Sequence, residues 1–123
     1  VYLSLGMTYF GNKKLDMKSV RVETDKNYYD FTCDDQFGGG YDNDLKAWFD
    51  YELFDMDEET SWLNEWLAAK SVTATFTGRD GSTKTYTLTK DNLQAIRDVL
   101  NVYDTLLGSD VSTARVVLRS LVK

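Results

Sequence analysis

Asp50 and Glu52 stand two residues apart, with Trp48 just before them, in an alternating stretch from Leu45 to Phe54. Two carboxylates and an aromatic ring are the side-chain types a glycosidase uses: one acid, one base or nucleophile, and a platform for a sugar face. Residues i and i+2 of a strand share a face, so this pair lies side by side and flanks nothing by itself. The expectation is a solvated acidic sheet face. The alternative is a small carboxylate-dependent, glycosidase-like hydrolase using Asp50 and Glu52.

Other reactive types are scarce. The chain has no histidine, which excludes Ser–His and Cys–His nucleophile pairs, His-ligated zinc and imidazole proton transfer. The lone Cys33 can form neither an intrachain disulfide nor an all-thiolate zinc site. It shares strand parity with Tyr29 and Phe31 and reads as a small buried hydrophobe. Gly38-Gly39-Gly40 lacks the lysine and hydroxyl of a phosphate-binding loop and opens no helix.

Around those glycines lie Asp34, Asp35, Asp42, Asn43 and Asp44, oxygen donors of the hardness calcium prefers. Their spacing fits no EF-hand, so a mobile, polar surface loop over 34–44 is expected, with no cofactor. Asp42 and Asp44 are the candidate metal ligands of a third reading, a calcium-dependent binding module.

Residues 28–54 hold nine of the seventeen aromatic side chains. Tyr29, Phe31, Phe49 and Tyr51 fall on presumed core faces, whereas Tyr28, Phe37, Tyr41 and Trp48 do not. With Asp50 and Glu52 these four make the candidate binding surface, aromatic and acidic, suited to a protein or carbohydrate partner. Alternatively, an edge loop covers Trp48.

Charge is concentrated in the same region. Residues 30–59 carry eleven acids against Lys46 alone, while the chain as a whole has a net charge of −6. Phosphate backbones need Lys and Arg, so nucleic acid is excluded as a partner of this segment. No apolar run reaches the ~20 residues of a membrane-spanning helix.

The elements that must position these residues are most legible between Val72 and Leu107. Val72, Ala74 and Phe76 alternate with Thr73, Thr75 and Thr77, and Gly81 supplies a turn into a second strand through Tyr86 and Leu88. Thr89 is placed to cap a helix whose apolar stripe is Leu93, Ile96, Val99, Leu100, Tyr103 and Leu107. Upstream, alternation predicts strands over 1–9, 15–24, 28–33 and 45–54. The second flips parity between Met17 and Val20, which requires a bulge near Lys18-Ser19. A helix capped by Asp55 or Asp57 buries Trp62, Leu63, Trp66 and Leu67. After Gly108 a last helix places Val111, Ala114, Val117, Leu118 and Leu121 inward, with a basic stripe of Arg115, Arg119 and Lys123. The order ββββ-α-ββ-α-α predicts one α+β domain over residues 1–123: an antiparallel sheet of about six strands with helices packed on one face.

Several short segments carry a family likeness: Tyr9-Phe10-Gly11 followed by Leu15-Asp16-Met17-Lys18-Ser19-Val20, and Gly38-Gly39-Gly40 ahead of Trp48-Phe49-Asp50-Tyr51. Phe76-Thr77-Gly78 and the helix from Ile96 to Tyr103 complete it. In these the chain resembles a small α+β domain of uncharacterised exported proteins and lipoproteins of Gram-positive gut bacteria. The resemblance implies an extracytoplasmic location. Because the chain begins with Val1 and not Met, a processed or shortened N-terminus is expected. Together these features predict a non-catalytic binding or interaction domain of an exported bacterial protein.

Overall fold

A computed structural model describes residues 2–33 and 38–106. In chain order its elements are β1 (Ser4–Gly11), β2 (Met17–Thr24), β3 (Tyr28–Thr32), β4 (Gly39–Asp42), β5 (Ala47–Asp55), α1 (Thr60–Ala68), β6 (Val72–Gly78), β7 (Thr83–Thr87) and α2 (Lys90–Leu106). The class is α+β and the pairing antiparallel throughout.

The strands form two sheets, not one of six. One has three strands in the order β1-β5-β4, the other four in the order β3-β2-β6-β7. The division arises between β1 and β2, which local alternation cannot distinguish from a hairpin. Asp16 takes a positive φ of 56° there, and its amide donates to Asp50 Oδ2 at 3.0 Å. This turns the chain out of the first sheet and into the second. β1 instead finds its partner in β5, with Ser4 opposite Asp55 and Gly11 opposite Trp48.

The seventh strand, β4, occupies part of the glycine-rich stretch expected to be a mobile loop. Its turn is closed by chemistry visible in the side chains. Asp42 Oδ1 accepts the amides of Asp44 and Leu45, both at 2.9 Å, and Lys46 adopts φ 51°. Gly39 is needed for the close approach of the two strands, since a Cβ there would collide with the Phe49 carbonyl oxygen.

Other local expectations match the structure. The ladder of β2 with β6 slips between Met17 and Ser19, so Met17 and Val20 both point inward. Thr89 Oγ1 accepts the Asn92 amide, while Asn92 Oδ1 accepts the Thr89 amide at 2.9 Å, a reciprocal cap. At α1 the expected caps are otherwise employed. Glu59 occupies the cap position without a side-chain bond, and Asp55 Oδ1 accepts the Asp57 amide. Asp57 Oδ1 accepts the Leu3 amide at 2.5 Å and the Tyr103 hydroxyl at 3.4 Å, tying the start of β1 to α2. The predicted last helix, with its basic stripe, lies outside the described residues, as do Asp34, Asp35 and Phe37.

The inner face of the four-stranded sheet is shared by two covers. Over one part lies the three-stranded sheet, with Tyr9 against Phe76 and Phe31 against Phe54 at ring separations of 6.5 and 4.8 Å. Over another lies α1, whose Trp62 and Trp66 pack on Tyr29 and Phe31. Leu93, Ile96, Val99, Leu100 and Tyr103 of α2 join the same core. No described helix is long and apolar enough to cross a membrane.

Candidate functional site

The packing of Phe54 on Phe31 decides which face of β5 is inner, and period two then carries Glu52 and Asp50 to that face. They are 5% and 4% exposed for Asp50 and Glu52, not the solvated acidic face expected. Beside them is a void of about 20 Å³ lined by Asp16, Met17, Gly38, Asp50, Tyr51 and Glu52. That is room for about one water. It is too small for a sugar ring.

Phe49, Tyr51 and Leu53 take the outer face instead, where small residues on the neighbouring strands make space. A Cβ at Gly6 would sit 3.4 Å from Leu53 Cδ2 and 3.5 Å from the Tyr51 ring, and one at Gly40 would sit 3.6 Å from the Phe49 ring. The large β5 side chains therefore lean over glycines and are half-buried without a second layer of core.

The remaining candidates do not assemble into one surface. Tyr41 and Trp48 are cross-strand neighbours with rings edge-on at 5.3 Å, Tyr41 exposed and Trp48 half-buried. Tyr28 belongs to the other sheet. Arg21 lies 4.2 Å over its ring and forms a two-pronged pair with Asp30, at 2.7 and 3.0 Å. That bonding raises the Arg21 pKa and lowers that of Asp30, a fully exposed pair engaged with itself. Asp42 spends its carboxylate on its own turn. Among the described residues no group of three His, Cys, Asp or Glu is placed to hold a metal.

The feature that the sequence pattern did not reveal is a cleft of about 380 Å³ where the two covers meet. Its floor is Val22, Ala74 and Phe76 of the four-stranded sheet, with Tyr86 and Leu88 beyond. Ala95 and Ile96 of α2 form one wall, and Leu5, Gly6, Met7 and Thr8 of β1 the other. Among the described residues no Asp, Glu, Lys or Arg lines it. Trp66 lines it too: the residue is 1% exposed, and its indole Nε1–H has no acceptor among the described residues. An unpaired buried donor costs about 1–3 kcal/mol.

The β1 wall carries a further polar resource. Tyr51 donates its amide to the Gly38 carbonyl, so the odd-numbered residues of β5 turn their backbone groups toward β4. Asp50, Glu52 and Phe54 then bond Tyr9, Met7 and Leu5, as the register requires. Ser4, Gly6, Thr8 and Phe10 are left with N–H and C=O on the open edge, where none has a backbone partner among the described residues. One sequence signal could have marked this strand: no charged residue occurs before Lys13.

No family model matches the chain, and neither a curated protein nor a solved structure does.

Proposed function

We propose that this chain is a non-catalytic binding domain whose ligand occupies the cleft between β1, the four-stranded sheet and α2. The observation that carries this reading is the cleft itself. About 380 Å³ lies within the usual size of ligand sites, its lining is apolar, and it holds a few polar groups that can orient a guest. The hydrolase reading requires Asp50 and Glu52 to act on a sugar, and the void beside them holds about one water. The family likeness supports an extracytoplasmic setting, and the apolar lining favours a protein segment over a carbohydrate.

Titration of the full chain with the fluorophore anilinonaphthalene sulfonate, whose aromatic rings enter apolar sites while its sulfonate stays in water, tests the site. Ala95 is exposed on α2 and borders the cleft, so Ala95→Trp adds bulk at the mouth without disturbing the core. The expected result is at least tenfold weaker dye binding with Tm within a few degrees of wild type. Unchanged binding in that variant overturns the reading.

A further inference from the structure

We infer that the occupant of the cleft is an extended peptide segment that pairs with the open edge of β1 and places alternate, uncharged side chains in the cleft. This rests on the binding reading above and goes beyond it by naming the ligand class. Three independent features of the cleft converge on it.

The first is the character of the edge. Folded proteins blunt exposed sheet edges with charge, proline, bulges or short length, because an unpaired row of N–H and C=O groups recruits another strand. The other three edges follow that rule: β3 carries Asp30, β7 carries Lys84, and β4 is four residues long and ends in Asp42. β1 is eight residues without a charge, Ser-Leu-Gly-Met-Thr-Tyr-Phe-Gly. Its N–H and C=O groups at Gly6 and Thr8, without a backbone partner among the described residues, lie on residues that are exposed and also line the cleft.

The second is the relation of edge to cavity. A strand added to β1 points every other side chain to the inner face of that sheet, the face that meets Val22, Ala74, Phe76 and Ile96. Strand addition of this kind takes affinity from main-chain hydrogen bonds and specificity from pockets for alternate side chains. Both parts are present at β1, side by side.

The third is the match of charge and hydrogen bonding. Among the described residues the lining offers no counter-charge, so an inserted Lys, Arg, Asp or Glu would lose its hydration without compensation, which restricts the inward positions to uncharged side chains. Beside the cleft the buried Trp66 indole N–H has no acceptor among the described residues. A peptide supplies oxygen acceptors; a purely hydrocarbon ligand does not.

The experiment uses the full, nitrogen-15-labelled chain and two probes: the naphthalene dye, and a pool of blocked hexapeptides alternating threonine with valine, leucine, isoleucine or phenylalanine. Expected on adding peptide are exchange of the Gly6 and Thr8 amide protons slowed at least tenfold, a shift of the Trp66 indole N–H resonance, and displacement of the dye. The same pool N-methylated at alternate amides should lose at least tenfold in affinity. Thr8→Pro removes one open-edge donor while leaving the bonds to β5, and should weaken the peptide at least tenfold. Dye binding without slowed exchange at Gly6 and Thr8 overturns the strand inference and leaves the binding reading standing. Failure of both probes overturns both. Gly6 and Thr8 amides already protected in the absence of peptide, in a monomer or a dimer, show the edge taken by this chain or a second copy and also overturn the inference.

Discussion

At the scale of single residues, the buried carboxylate of Asp50 is best understood as a structural hinge pin. It accepts the amide of Asp16, a non-glycine residue at φ 56°, at the point where the chain passes from one sheet to the other. Left-handed backbone costs an L-residue roughly 1–2 kcal/mol, less for Asp, so an interaction that fixes it there has a definite task. Asp50→Ala leaves the Asp16 amide without its acceptor and should destabilise the fold by about 1–3 kcal/mol in urea denaturation. Asp50→Asn keeps an acceptor oxygen at that position and should recover most of the loss. If Asn is as damaging as Ala, the charge itself matters and the carboxylate has a role other than accepting that bond. The identity of this residue was legible from the chain, but its environment was not, because both faces of β5 carry large apolar side chains and alternation alone cannot say which face is inner.

At the scale of elements, what was legible was local. The β6–β7 hairpin, the bulge in β2 and the Thr89 cap each depend on residues close in sequence, and period-two or period-3.6 patterning reads them directly. The pairing of β1 with β5 joins residues as far apart as Ser4 and Asp55, and nothing in an alternating pattern names a distant partner. β4 was missed for a different reason, since Gly39-Gly40 has the composition of a loop and becomes a strand only because β5 offers it an edge. The hairpin that holds β4 in place turns through Lys46 at φ 51°, a conformation glycine adopts without penalty. Lys46 is exposed. Lys46→Gly should therefore raise stability by up to about 1 kcal/mol, net of the added unfolded-state entropy of glycine. A lowered denaturation midpoint would show that the lysine side chain holds the turn by some other interaction.

At the scale of the whole molecule, the cleft lies at the joint where β1 and α2 cover the same sheet face. β1, β2, α1, β6, β7 and α2 each contribute to it, and its apolar members, such as Val22, Ala74, Phe76 and Ile96, are within their own elements ordinary members of an apolar stripe. Trp66 illustrates the point: helical spacing identifies it as core, yet that its N–H lacks an acceptor among the described residues is visible only once the neighbours are in place. The joints between layers have their own signature in two tyrosines. Tyr29, between the four-stranded sheet and α1, is held above its ordinary pKa by burial and then by its hydrogen bond to Glu65. Tyr103, between α2 and the segment before α1, is held above its ordinary value of 10.0 by burial and then by the charge of Asp57. With folded-state values raised, the unfolded chain loses these phenolic protons first as pH rises. The stability contributed by the neutral phenols is therefore complete below about pH 10 and is lost as pH climbs through the folded-state values. Urea midpoints of wild type measured between pH 8 and pH 11.5 should fall in the upper part of that range. The double variant Tyr29→Phe with Tyr103→Phe should fall less steeply, because rings that cannot ionise keep the layers docked. Parallel slopes in the two proteins would mean that alkaline unfolding starts elsewhere than at these joints.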